Sequence, residues 1–415
     1  VAPVGDVTRH NNDFAFVSYA DVVVAQTRPI THKKVIKQCF IALSLLVTFM
    51  HRSEKYVKFF ILVLAALLTT GIVAAQPATT PLQKAMQSAI ANMDLDRPDQ
   101  AIENWNTVIE LDPTKIEYKY ERIICYVMKK DYVKALEQLT PIYKDTALLD
   151  RGYQLMGNIH DLLGDSTVSI PFYKEGLLAY PQSGRLHYEM GATALIERRM
   201  DDAILWWVKG TKAEPRFPTN YYWVAKVNAD TKNKIWTLIY GEAFMNLERG
   251  TKRTKEISKL IFEAWNAGLA FGDSTDPINL ASEDLLEAPG PSGPTSMSFP
   301  MAFEYMTAVT GQYLIPKVGM LKRLTMAQLV ELQVKVTQAW MAKGYDTVYT
   351  NDILLWHKSL AESGHLHEYL YWVISFGDYR EMNIWFRSNE KKYDLFLHWF
   401  DTNSLPRDRA WRLGL

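Results

Sequence analysis

From Leu82 to about Gly250, side-chain size recurs every 34 residues, and few folds satisfy such a rhythm. Stepping by 34 from Ala101 meets Ala135, Ser169, Ala203 and Thr237, all small or fairly small. The series from Ala89 runs through Ile123, Gly157, Gly191 and Ala225; that from Trp105 through Leu139, Tyr173 and Trp207; that from Pro113 through Ala147, Pro181 and Pro215. Self-similarity at this period means that one supersecondary unit is used again and again. A pair of antiparallel helices accounts for every slot. Slim residues sit where the two helices cross, and the aromatic of the second helix fills the space against the next unit. Proline stands where the second helix must stop, because it cannot continue an interior turn. No unit buries its apolar face alone, so neighbours have to stack. The slots are imperfect. Ile123 is bulky in a small slot, a second small slot late in the second helix holds Val108 and Ile142 before Gly176 and Gly210, and Gly241 stands where an aromatic belongs.

Small, small, aromatic and proline slots at this period resemble the tetratricopeptide repeat (TPR) family, over roughly 170 of the 415 residues. The resemblance implies an all-α fold, a TPR-type α-α superhelix of about five repeats over 82–250, whose concave face is lined by the first helix of each pair. Its implied role is binding a protein or peptide. Residues spaced i, i+3 and i+7 share one side of a helix. This places Tyr120, Arg151, Gln154, Asn158, Arg185, Tyr188, Tyr222 and Lys226 on that face as candidate groove residues. Tyr120, Tyr188 and Tyr222 recur in one slot, and Arg151 and Arg185 in the slot beside it. Tyrosine supplies flat contact area and arginine pairs with carboxylates. The competing reading makes these solvated helix faces, with the tyrosines covering repeat junctions. Met86, Ile90 and Glu121 stand where the chaperone-binding members of the family carry a basic clamp, so that partner is disfavoured.

Residues 1–49 lack a strong helical period and read as an upstream extension not in the mature protein, with translation beginning at Met50. Residues 50–75 then read as a signal peptide. His51, Arg52, Lys55 and Lys58 form a positive leader, Phe59–Leu68 is unbroken apolar sequence, and Val73 and Ala75 have the spacing of a cleavage site before Gln76. The rival is an uncleaved membrane anchor, because the uncharged run Phe59–Ala75 is 17 residues, at the short edge for spanning. The stretches Ile239–Glu248 and Asn351 through Gly364-His-Leu-His367 to Trp399-Phe400 resemble exported repeat proteins of gram-negative bacteria. That resemblance implies a periplasmic or envelope location and carries no activity with it.

Past Lys252 the size rhythm fails. Ile257–Leu269 reads as one more amphipathic helix, and the rest of 251–300 is rich in proline and glycine and reads as a loop or linker. Residues 301–415 read as an aromatic-rich helical C-terminal domain. Thr325 and Gln328 make a capping box with Leu324 and Leu329 as a staple, for a helix running to about Ala342 and stopping at Gly344. Further helices are expected at Asp352–Glu362, closed by Gly364, at His367–Phe376, near Arg380–Arg387, and at Glu390–Asp401. The rings from Tyr369 to Phe400 read as a small core, or alternatively as a ligand cleft.

Lys+Arg and Asp+Glu each total 46, so there is no basic field for nucleic acid. Cys125, among Ile123, Ile124 and Val127, reads as a core thiol. No phosphate-binding glycine loop or nucleophile elbow occurs. His367-Glu368 begins a zinc-binding string, but Tyr371 stands where its second histidine is needed. His357, Glu362, His365 and His367 do not share a helix face, since Gly364 interrupts them. No catalytic, metal or cofactor residue is therefore assigned. The expectation is an exported, non-enzymatic scaffold that binds a protein partner through the repeat groove. The alternatives are a ligand-binding or enzymatic C-terminal module recruited by the repeats, and a membrane-anchored envelope assembly factor.

Overall fold

The computed structural model describes residues 79–269, 278–293, 296–311, 323–405 and 409–414. Among them every regular element is a helix. The expected extension and signal peptide lie outside the described residues, as do 270–277 of the proline- and glycine-rich loop.

Ten helices carry the 34-residue register. The first helices of the pairs are α1 (Pro81–Asp94), α3 (Ile116–Met128), α5 (Asp150–Leu162), α7 (Gly184–Ile196) and α9 (Pro218–Ala229). The second helices are α2 (Pro98–Leu111), α4 (Tyr132–Leu139), α6 (Ser166–Ala179), α8 (Met200–Ala213) and α10 (Lys234–Leu247), whose starts are 34 apart throughout. Pro98 sits at the first position of α2, where its missing N–H costs nothing. The turn inside each pair has a register of its own. Asp96, Lys130, Gly164 and Arg198, again 34 apart, all have positive φ, at 53°, 63°, 85° and 62°. Each closes the same two bonds: Lys130 N–H reaches Val127 O at 2.9 Å and Asp131 N–H reaches Tyr126 O at 2.9 Å, as Arg198 and Arg199 reach Leu195 and Ala194. Such a helix end favours glycine, and three of these four positions hold it with a side chain, at roughly 1 kcal/mol each.

The described chain divides into two compact units at Asp165/Ser166. In the first, α1 to α5 each pack on the next. Its core is built on the predicted slots, with Ala89, Ala101, Trp105 and Val108 fully buried. The Trp105 ring lies 6.1 Å from that of Tyr118, and its Nε1–H points at Met93 Sδ. Cys125 is buried in the same core. Burial, with Glu121 adding, pushes its thiol up to about 12, which makes it an inert packing group. Ile142 is a correction: it lies past the end of α4, not late within it. Pro141 has no N–H to bond back into α4, so the helix stops at Leu139, with Thr140 still in helical geometry, and a run of turns leads to α5. Gly152 is required there, since a Cβ would lie 2.0 Å from Tyr143 O.

In the second unit, α6 carries Pro171 within it, and α7 to α10 pack in succession. Gly191 shows why that slot is small: a Cβ would lie 2.3 Å from Nε1 of Trp207, which donates to Tyr188 O at 3.1 Å. The register does not fail where the size pattern does. Helix α11 (Lys252–Gly268) starts 34 residues after α9 and packs on α9 and α10, as the first helix of a further repeat would. This explains Gly241, because an added Cβ would already be 3.1 Å from Ile257 and Ile261 of α11, and an aromatic there would hold α11 off.

A loop with a bridge between Leu269 and Ile278 and a short helix α12 (Glu283–Leu286) leads to α13 (Phe299–Gly311). Then come α14 (Met326–Ala342), α15 (Tyr345–Val348), α16 (Asp352–Glu362), α17 (Leu366–Val373) and α18 (Tyr379–Thr402). The Thr325–Gln328 capping box forms in both directions, and Leu324 and Leu329 are fully buried. Gly344 and Gly364 end their helices at φ 68° and 76°. The two helices expected over 380–401 are a single one of 24 residues. Ser388 and Asn389 do not break it, because Asn389 folds its amide back onto Trp385 O at 2.9 Å. Phe396, Phe400 and Tyr369 are buried against one another, so this aromatic cluster is core. That core runs unbroken from Ala194 to Leu413, which joins the last repeats to the C-terminal block.

Candidate functional site

The candidate groove residues fall in both units. In the first, Tyr120 of α3 is nearly fully buried, and the guanidinium of Arg151 in α5 lies 5.2 Å from its ring centroid. The Tyr120 hydroxyl points at Arg151 O at 3.5 Å. Gln154 and Asn158, on the next turns of α5, are buried. Tyr120 and Arg151 therefore tie one first helix to the next, and the half-buried guanidinium is held flat over a ring.

The second unit repeats this arrangement with other residues. Arg185 of α7 lies 6.0 Å from the Phe217 ring, and half-buried Tyr188 lies 6.5 Å from Trp223. Tyr222 of α9 is buried and donates its hydroxyl to Glu256 of α11 at 2.8 Å. Lys226 bonds both the Tyr222 hydroxyl and Glu256, each at 2.9 Å. Arg253 of α11 lies 5.2 Å from the Tyr222 ring and 5.4 Å from that of Phe244. It donates to Thr219 Oγ1 at 3.2 Å and pairs with Glu248. Thr219–Arg253 and Tyr222–Glu256 are each separated by 34 residues, so equivalent slots on successive first helices bond directly.

Arg253 and Glu256 were missing from the sequence-derived face, although a signal for them existed. Stepping by 34 from Arg151 gives Arg185, Thr219 and then Arg253. Following size alone ended the register at 250. Following the charge slot carries it one helix further.

The histidines weighed as metal ligands go to separate environments. His357 Nε2 lies 2.6 Å from Glu242 Oε1 inside the core of the second unit. Tyr369 donates to the same Glu242 oxygen at 2.7 Å and accepts from Asn246 Nδ2 at 2.7 Å. Burial, with Glu242 adding, pushes the Tyr369 phenol well up, so it stays a donor. His365 lies 5.0 Å from the Trp399 ring, and His367 lies 5.2 Å from the Tyr371 ring. Among the described residues no group of three His, Cys, Asp or Glu side chains could hold a metal ion. No described helix is long and apolar enough to cross a membrane.

No protein-family model matches this chain, and no curated protein matches it. Among solved structures it is similar to the crystal structure of YrrB, a TPR protein with an unusual peptide-binding site. That match has 15% identity and a TM-score of 0.28, over 41% of this chain and 94% of that chain. A TM-score this low adds nothing to the chain's own geometry. Helix pairs with second helices 34 residues apart, slim residues at their crossings and buried aromatics between them make this an all-α repeat fold of the TPR type, followed by a helical C-terminal block.

Proposed function

We propose that this chain is a non-enzymatic scaffold that binds a protein or peptide partner through the first-helix face of its repeats. One observation carries the reading. Arg151 and Arg185 occupy one slot of the register, and each guanidinium lies over an aromatic ring while staying partly exposed; Arg253, in the same slot, is already paired with Glu248. A guanidinium held over a ring is already oriented, and less rotamer entropy is lost when it meets a carboxylate. The partner is accordingly a segment bearing acidic side chains, met in the first unit by Arg151 with Tyr120, Gln154 and Asn158 around it, and in the second by Arg185 with Tyr188, Tyr222 and Lys226 on the same face. Crosslinking and pull-down from the native cell, with wild type beside an Arg151→Glu/Arg185→Glu double variant, tests this. The variant is expected to lose partners that wild type retains. Equal recovery by both removes the face from the mechanism.

The same proposal places the protein outside the cytoplasm, on the charged leader and apolar run of 50–75. N-terminal sequencing of the native protein is expected to begin at Gln76. A chain that retains Phe59–Ala75 would instead support the membrane-anchored reading.

A further inference from the structure

A cleft of about 360 Å³ opens in the second unit, among the start of α10, the loop at 285–291, the start of α13, and the segments 348–351 and 412–414. That volume falls in the range of small-ligand sites. Its floor is aromatic. Trp236 and Phe299 stack with centroids 6.2 Å apart, and Tyr349 lies 6.3 Å from Phe299. Tyr349 directs its hydroxyl to Met297 O at 3.0 Å, which leaves its ring to the floor. Gly414 closes one side. Its φ of 100° favours glycine, and an added Cβ would lie 3.2 Å from the Phe299 ring and 3.3 Å from that of Trp236. The exposed Pro289 and Pro291 and Val348 make the rim.

One lining residue is charged, Arg412. It is anchored rather than neutralised. Its Nη2 donates to Asp352 Oδ1 at 2.9 Å, but Arg409 donates to both oxygens of the same carboxylate at 2.8 and 3.0 Å. Arg412 thus shares its carboxylate with a second guanidinium, and about half of its side chain remains exposed. An apolar floor with a single fixed cation at its edge matches a monoanion with an apolar body. A phosphate monoester, with close to two charges, matches a single arginine less well.

We propose that this cleft binds a small monocarboxylate, with its apolar body on the Trp236–Phe299 floor and its carboxylate on Arg412. This site is separate from the repeat face and survives or fails independently of it. Isothermal titration of the full chain with octanoate, octylammonium and octanol tests it. Octanoate is expected to bind at one site and octylammonium not to bind. Arg412→Gln is expected to weaken octanoate about tenfold and to leave octanol unchanged. That variant keeps Asp352 paired with Arg409, so it is expected to fold. Thr350→Trp, at an exposed lining position, is expected to fill the cleft and abolish binding of octanoate and octanol alike. Octanoate heats that are absent at millimolar concentration, or unchanged in both variants, overturn the proposal. So does octylammonium binding as tightly as octanoate. Loss in Thr350→Trp with full retention in Arg412→Gln overturns the assignment of an anion.

Discussion

The repeats of the first unit and the C-terminal block of the second solve the burial problem in opposite ways. In the first unit each helix packs on its neighbours in sequence around Trp105 and the small slots. Its pair of Lys129 and Asp99 stays wet, at 2.6 Å and about half to two-thirds exposed. The C-terminal block closes back on the last repeats and buries polar groups. Glu242 and His357 are 115 positions apart and almost fully buried, and Asp352 is enclosed beneath two arginines. A block that folds back can surround a charge with partners from distant segments. Once it does so, removing the buried group at the centre is costly.

Three substitutions bear on this contrast. Trp105→Ala should lower the stability of the first unit by about 4 kcal/mol, since it empties a fully buried ring site. Hydrogen exchange should then rise across α1 to α3 and stay unchanged across 323–405. An equal rise in both would show that the repeats do not behave as locally coupled units.

Asp352→Asn comes next, at about 2 kcal/mol near neutral pH. Its two guanidiniums and the Arg412 backbone N–H, outweighing its burial, hold the Asp352 carboxyl down at about 2, below the ordinary 3.8. The folded value lies below the unfolded one, so the stabilisation is complete above the unfolded value and disappears as pH falls toward the folded one. Urea titrations of wild type and variant should therefore converge as pH drops from about 4 to about 2. A gap that ignores pH would mean that Asp352 acts by packing instead of charge.

Lys130→Gly has the smallest expected effect, a gain of about 1 kcal/mol, because glycine relieves the positive φ of the pair turn. Gly164→Ala, in the same slot, should lose a similar amount. Opposite signs in urea midpoints would confirm one recurring turn, and matching signs would break the equivalence of the repeats.

Much of the repeat fold is legible in side-chain size. Ala101, Ala135, Ser169 and Ala203, like Trp105, Leu139, Tyr173 and Trp207, are all fully buried. The ends of the C-terminal helices are legible for a different reason, since Thr325 at a start and Gly344 and Gly364 at stops act through local backbone chemistry. The pair turn was hidden because Asp96, Lys130 and Arg198 share a backbone angle and no side-chain property. Helix α11 is legible as an amphipathic helix over Ile257–Leu269, but its place in the register is not, because its repeat keeps the helix start and the arginine slot while dropping the size code. The candidate groove residues form a pattern in the sequence, but the bonding of Tyr222 and Thr219 along the 34-residue ladder depends on geometry that no pattern supplies.

Sequence alone determined the unit, its period and the residues that face inward, because these follow from contacts within a few helical turns. Tertiary structure alone decided where the first compact unit ends, which carboxylate meets which histidine, and that Trp236, Phe299, Tyr349 and Arg412 share one cleft. Those four residues span much of the second unit, and side-chain chemistry constrains such distant pairs only after the chain has closed on itself.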